Sequence, residues 1–388
     1  MSYLVYLNYC NIRQVEAQYL SVLYEILGKG LDATFLLSKE YLLNYENKNR
    51  WEVNWAKTHW GDYSTLLRKL TPDKYLVMDK PEEFIARDSA REEKVPSEIL
   101  SASVSREFVY ERKQVIKAIE QHDIQAGVTW VNNRCFSATL RDFDIPTIHH
   151  ELGPFRIPTY IPTAFLDFHG VNGGTEFNSR FARFLKIAKD VPILSRKELI
   201  KVISPVHYKE LWQVLENTRY TYEAGVGLQV EVDTNVLLFN KGYNWIDPLL
   251  MAQAQTTGKV LVRPHPMASY TLKQNNRIVI DDVVKTKAYE FINKCKRVYC
   301  LNSSVGIESI LLGRQAVILG DNPFRSVCDM DEETQLKALN FIIFGYLIHR
   351  DLLFNNDYYE FRLKNKGNEK LIYLDNLDRL LKSSLKKG

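Results

Sequence analysis

Residues 296–321 read KRVYCLNSSVGIESILLGRQAVILGD. An apolar run, RVYCL, gives way to a polar NSS. A second run, GIESILLG, has helical spacing, and a third, AVILGD, is again strand-like. Strand, helix and strand in so short a span predict a parallel β/α crossover, and such crossovers are right-handed. Ligands of parallel sheets collect outside the carboxyl ends of the strands. The polar NSSVG at 302–306 therefore falls where a ligand would sit. Upstream, KVLVRPHP at 259–266 has the same form: a strand that ends in arginine, proline, histidine and proline.

The rhythm extends outward from this stretch. Before it come the strand-like GVGLQV, a helix through IDPLLMAQAQTT, the strand RIVIDD and a helix through AYEFINKCK. The segment SRKELIKVISPVHYKELWQVLEN, 195–217, reads as a helical connector broken at Pro205. Towards the amino terminus, SYLVYLN, DATFLLS, KYLVMD, QAGVTWV and PTIHHEL are strand-like. They alternate with helix-like RQVEAQYLSVLYEILGKG, SEILSASVSREFVYERKQVIKAIEQHD and CFSATLRDF. Residues 40–72, rich in Trp, Tyr and Asn, show no clear period. The expectation is an α/β chain of two Rossmann-like domains, 1–195 and 196–330. Helices over 331–388 are expected to pack back on the first domain.

The composition agrees. A chain of 388 residues is too long for one ordinary core. Its 45% apolar and 25% charged fractions suit a globular protein. A net charge of +4, from 51 basic against 47 acidic residues, is below what a dedicated nucleic-acid binder shows. It is compatible with an anionic small ligand or an anionic membrane surface. WEVNWAKTHWGDY, 51–63, is the one aromatic-rich stretch with basic residues, and it reads as an acceptor wall or a core segment rather than a stacking platform. Five cysteines without a CxxC pair argue against a disulfide framework or zinc module and for a reducing cytosol. No signal-peptide pattern opens the chain. FIIFGYLI, 341–348, is about half the ~20 apolar residues a membrane span needs and reads as a buried helix.

Four stretches carry polar groups at strand ends. In NSSVGIES a helix starting near Val305 leaves its first N–H groups without partners. Asn302, Ser303 and Ser304 lie beside them, and Gly306 is read as leaving room for a ligand. The combination makes a phosphate cradle. The dipole alone contributes about 0.3–2 kcal/mol, and each aimed donor in a water-poor site contributes on the order of 3 kcal/mol towards developing charge. Glu308 is placed to accept from ribose hydroxyls. The plain alternative is an N-capping serine. In RPHP, Arg263 and His265 are stiffened by Pro264 and Pro266. His265 suits a phosphate as imidazolium or the protonation of a leaving oxygen, against the alternative of a loop histidine bound to backbone. In GLQVEVDTN, Gln229 and Asp233 follow a strand, and Asp233 reads equally as a turn or cap aspartate. In HHELGPFRIP, Glu151 ends a strand before Gly153-Pro154, and Arg156 follows it; FHGVNGG adds Asn172. Adjacent strand residues point to opposite faces, so His149 and His150 do not share one ion, and no protein-ligated metal or cofactor is expected.

Together, HHELGPFRIP…FHGVN, LQVEVDTN, VRPHP and CLNSSVGIESILLGRQAVILGDNPF resemble bacterial capsule and O-antigen glycosyltransferases. The β-Kdo transferases, which use CMP-Kdo, are the nearest type, and the motifs are also similar to those of bacterial sialyltransferases. The resemblance runs from about 145 to 325 and is strongest in the last two motifs. The first 140 residues match only in general architecture. It implies the GT-B architecture, two Rossmann-like domains facing a cleft, with CMP in the second and no metal. His265 and Pro266 would match the family's HP element, and Ser303 and Ser304 its serine element. Glu151 would match an acidic-x-Gly element that handles the acceptor proton. Asp233 would occupy the slot of the proposed nucleophile. The acidic element here reads Glu-Leu-Gly with His150 before it, rather than two adjacent acids. Arg263, Asn302 and Glu308 would serve the nucleotide; Arg156, Asn172 and Gln229 would serve the sugar-donor carboxylate or the acceptor.

The resulting expectation is a cytoplasmic retaining enzyme that moves Kdo from CMP-Kdo to a lipid-linked oligosaccharide at the inner face of the bacterial inner membrane. The basic tail LLKSSLKKG suits such a surface. A CMP-sialic acid transferase and a non-catalytic glycan-binding relative are the alternatives.

Overall fold

Runs of Val, Ile, Leu and aromatic residues form the strands because a parallel sheet covered on both faces buries every side chain, not alternate ones. YLVY in strand β1 (Tyr3–Tyr6), ATFLL in β2 (Ala33–Leu37) and AGVTW in β4 (Ala126–Trp130) are buried at each position. The computed structural model describes residues 1–7, 17–42, 61–78, 106–231, 233–268 and 270–385. The chain divides into two units. The first is Met1–Glu151 with Leu166–Val171 and Asp351–Lys364. The second is Leu152–Phe165 with Asn172–Arg350 and Asn365–Gly388.

In the first unit β3 (Tyr75–Val77), β2, β1, β4 and β5 (Thr147–Leu152) lie side by side in that order, all parallel. Helices Ala17–Lys29, Arg106–Gln121 and Arg134–Asp142 fill the crossovers. The helix expected over 97–123 is described only from Arg106, and most of 51–63 lies outside the described residues. Asp351–Lys364 belongs here for physical reasons. Lys29 Nζ donates to the carbonyls of Asp351 (3.1 Å) and Leu353 (2.7 Å). Tyr359 Oη lies 2.6 Å from His150 Nε2, and its ring stacks on that imidazole. His149 turns the other way, towards Ser137 Oγ at 3.3 Å, as strand alternation requires.

The second unit carries β11 (Gln315–Ile318), β10 (Cys295–Cys300), β7 (Tyr222–Gly227), β8 (Val260–Arg263) and β9 (Ile278–Ile280), in that order and all parallel. Order reverses between β7 and β10, which makes the crevice outside those two strands the ligand position of a doubly wound sheet. The α/β class and the two parallel sheets are those expected. Pro205 breaks the connector as expected: helices Arg196–Ile203, with a Ser195/Glu198 capping box, and Tyr208–Glu216 flank it.

Three readings change. The division falls at Glu151/Leu152, not at 195, and only 351–364 of the carboxyl-terminal segment joins the first unit. The strand read in GVGLQV lies earlier, over Tyr222–Gly227, with Leu228 N–H still donating to the Arg263 carbonyl just past its end. FIIFGYLI is buried as expected, but it winds as a π-helix over Phe341–Tyr346 and ends in β12 (Leu347–His349). In the second unit β12 pairs antiparallel with the start of β6 (Thr163–Asp167). Among the described residues no helix is long and apolar enough to cross a membrane.

Arg180 and Glu369, both 3% exposed, fasten the last helix (Glu369–Leu385) to helix Phe177–Ile187. Arg180 Nη2 lies 2.9 Å from Glu369 Oε2 and 2.6 Å from the Gly345 carbonyl, and Arg183 Nη2 lies 2.8 Å from Glu369 Oε1. Removing one partner of a buried pair strands the other charge. Glu369→Ala is expected to lower the unfolding free energy by about 3–5 kcal/mol in a urea titration; a change under about 1 kcal/mol would show the pair to be solvated.

Candidate functional site

Register brings the motifs level. Gly227 at the end of β7 is opposite Cys300 of β10 and Arg263 of β8. The chain therefore leaves all three strands at one edge, with NSSVG, RPHP and VEVDTN side by side. A Cβ on Gly227 would stand 2.7 Å from Val305 Cγ1, so glycine here lets the serine segment sit against the strand end.

Asn302 ties these segments together. Its backbone N–H donates to Gln229 Oε1 (3.1 Å), and its Oδ1 accepts from Gln229 Nε2 (2.8 Å). Its Nδ2 donates to the Asn235 carbonyl (2.8 Å), and its own carbonyl accepts from Asn322 Nδ2 (3.0 Å). Gln229 and Asn302, read as ligand residues, thus spend their amides on the crevice itself. Asp233 stands at the start of the short helix Thr234–Leu238 and accepts from Asn235 N–H through Oδ1 (2.7 Å). The cap role weighed from the sequence is real, and the residue is also exposed.

His265 is held by two bonds. Its ring Nδ1 accepts from Met267 N–H (3.1 Å), and its backbone N–H donates to Tyr270 Oη (3.2 Å). An accepting Nδ1 puts the ring proton on Nε2, so the free ring is a neutral donor rather than the imidazolium expected. Desolvation lowers its pKa from the ordinary histidine value; Asp233 opposes the shift and Arg156 adds to it. Asp233 and Arg156 are therefore each within electrostatic reach of His265. Arg263 is mostly committed: it pairs with buried Asp281, and donates to Thr286 Oγ1 (3.0 Å) and to the Thr286 carbonyl (2.9 Å). Pro266 is exposed in the turn beside His265, and Asn172 takes a left-handed φ of 68°.

The serine segment differs in detail from the expected cradle. Ser303 Oγ accepts from Val305 N–H (3.4 Å), and the Ser303 carbonyl accepts from Gly306 N–H (3.2 Å), so both helix-start donors have partners. Gly306 leaves no room for a ligand: a Cβ there would lie 2.8 Å from Ile318 Cδ1 and 3.1 Å from Cys300 Sγ, so glycine serves helix-to-sheet packing. Glu308 is buried, not open to a ribose. Burial pushes its carboxyl up to about 7, against the opposing influence of Ser304, Arg156, Tyr160 and Arg263. Ser304 Oγ is 3.3 Å from Glu308 Oε1. Glu151 is the penultimate residue of β5, half-buried, and the last residue before the division between the units.

Sequence reading missed Tyr160, Tyr270, Asp281 and Thr286. Tyr270, five residues after His265, and Asp281, at the carboxyl end of β9 beside β8, carried a positional signal. Tyr160 carried none. Among the described residues no three His, Cys, Asp or Glu gather as a metal would need.

Residues 5–176 match the model of the glycosyltransferase 99 family N-terminal domain. The match lies upstream of the motifs in which the resemblance was strongest. A search of the curated proteins gives no match. Among solved structures the chain is similar to the β-Kdo 2,7 transferase of Thermosulfurimonas dismutans KpsC, at 15% identity and TM-score 0.40, over 68% of this chain and 90% of that one. It is similar to the β-Kdo 2,4 transferase of the same KpsC at 14% identity and TM-score 0.40, over 63% and 90%. A Methanocaldococcus jannaschii UDP-GlcNAc 2-epimerase follows at 10% identity and TM-score 0.32, over 88% and 92%. At such low identities and scores, the residues themselves must carry the functional reading.

Asn302→Ala would leave the Asn235 carbonyl and the Gln229 amide unpaired. It is expected to cost about 1–3 kcal/mol of stability in denaturant unfolding. In an NMR titration of the free protein the His265 ring is expected to titrate below its ordinary value of 6.5. The unfolded chain then takes up that proton first, so this group favours the folded state above the ordinary value and loses that contribution as pH falls through the titration. A midpoint above 6.5 would show that Asp233 outweighs desolvation.

Proposed function

We propose that the chain is a retaining glycosyltransferase of GT-B type that uses CMP-Kdo. The observation that carries the reading is that Asp233 and Arg156 each lie within electrostatic reach of His265 at the carboxyl edge of the second unit's sheet, where register also brings the serine segment. The glycosyltransferase-family match over residues 5–176 supports the reaction class. The order of the four motifs supports the donor.

CMP-Kdo is a ketose joined directly to phosphate, so its departure places charge on the nucleotide. The hydroxyls of Ser303 and Ser304 and the Nε2–H of His265 would donate to that phosphate. Three neutral donors with nearby arginines suit an anion that must later leave. Arg156 has Nε on the Gly153 carbonyl at 2.9 Å, a bond that would aim the rest of its guanidinium at the sugar carboxylate. An Asp233 oxygen would form a bond to the anomeric carbon while the carbon–phosphate-oxygen bond breaks and its electron pair goes to CMP. An acceptor hydroxyl, losing its proton to Glu151, would then displace Asp233 as carboxylate. Two carboxylates would divide the work as in retaining glycosidases. The acceptor class is a lipid-linked oligosaccharide, and the lysine-rich end LLKSSLKKG supports contact with an anionic inner-membrane face.

Mass spectrometry of the intact protein after incubation with CMP-Kdo is the test. An adduct of one sugar residue on Asp233 is expected. Asp233→Asn should bind CMP normally yet lose at least about 10³-fold in turnover. Absence of transfer, hydrolysis and CMP binding would end the reading. An adduct only with CMP-sialic acid would change the donor and keep the mechanism.

A further inference from the structure

The Ser304 hydroxyl has one partner in the free protein, and that partner is an acid. Glu308 lies one helical turn further along the same segment, buried, with Oε1 3.3 Å from Ser304 Oγ. Its surroundings are specific. Tyr160 lies beside it, and Arg156, from the same segment 153–162, and Arg263, at the end of β8, are within electrostatic reach. The hydroxyl of Tyr160, itself within reach of Tyr289, is buried beside Glu308 and makes no well-formed hydrogen bond. Three residues of two chain segments thus surround one carboxyl that the proposed reaction leaves idle.

A phosphate arriving at Ser304 meets two obstacles if Glu308 is ionised. The carboxylate repels it, and the hydroxyl it needs is already donated. A protonated Glu308 removes both: the charge is gone, and the carboxyl can itself donate. The Tyr160 hydroxyl, already beside Glu308, stays as its partner once Ser304 turns to the ligand, so the carboxyl is not left unpaired.

We propose that Glu308 is a positioning residue that holds the Ser304 hydroxyl in the free protein and releases it to the nucleotide phosphate on taking up a proton. The inference depends on the nucleotide-binding reading above. Burial already poises the free carboxyl at about 7, so the coupling falls in the neutral range. His265 titrates below its ordinary value, outside that window, and CMP's own phosphate, with a second pKa near ~6, is mostly ionised there.

The experiment is calorimetric titration of the whole chain with CMP from about pH 6.5 to 8.5, in two buffers of different ionisation heat. Above pH ~7, wild-type affinity is expected to fall by up to about tenfold per pH unit, with net proton uptake. Glu308→Gln, a neutral mimic of the protonated form, is expected to bind CMP at the low-pH wild-type affinity with a flat profile. An unchanged slope in Glu308→Gln overturns the inference while leaving CMP binding intact. Should that variant not fold, the wild-type buffer comparison decides: no proton uptake near pH 7.5 overturns it. CMP binding at no pH would overturn this inference and the nucleotide reading together.

Discussion

The amide of Asn302 is the interaction on which the second unit's site depends. Parallel strands end level, but the loops that leave them have no ladder to hold them. Asn302 supplies one: it clasps Gln229 after β7, the Asn235 carbonyl under the Asp233 turn, and, through its own carbonyl, Asn322 after β11. The bonds join the excursions after β7 and after β11 to the same point, so the crevice has a fixed floor before any ligand arrives. Preorganisation of this kind is what lets polar groups act on developing charge without reorganising during the reaction.

On that floor the charges are arranged with restraint. Arg263, the obvious cation, is turned inward to Asp281, which also has Lys294 Nζ at 3.5 Å. Its positive potential is thereby balanced, and it braces the strand end that presents His265. The histidine is neutral, the serines are neutral, and Arg156 has two backbone carbonyls as partners, at 2.9 and 3.5 Å. An anion meets aimed dipoles more than bare cations. A pocket of unpaired cations would hold any anion more firmly than these dipoles do.

The fold was largely legible because buried parallel strands are continuous apolar runs, and nothing in SYLVYLN, QAGVTWV or RVYCL competes with that pattern. The motif positions were legible as strand ends for the same reason: a polar residue marks where such an apolar run stops. The division between units was not. It depends on Asp351–Lys364 finding Lys29 and His150, contacts between residues hundreds of positions apart that no local pattern encodes. The roles inside the motifs were legible only by type. Gly306 looked like room for a ligand, but which face of a helix meets the sheet is set by packing, and Ile318 occupies the space. Glu308 looked like a solvent-facing ribose acceptor, but helical phase and the loop carrying Tyr160 bury it.

These departures share one cause. A motif of consecutive residues is wound on a helix or turn, so only part of it can face a ligand while the remainder must face the sheet. In NSSVGIES, Gly306 meets the sheet, Asn302 the neighbouring loops, Ser304 the acid at 308. In RPHP, Arg263 faces inward, and only His265 and Pro266 stand in the open. A carboxyl on the boundary between those two environments feels both: burial withdraws it from water, and Ser304 keeps it in contact with the group a ligand would use. That intermediate placement, more than acidity itself, makes Glu308 the position where ligand charge and protein protonation would meet.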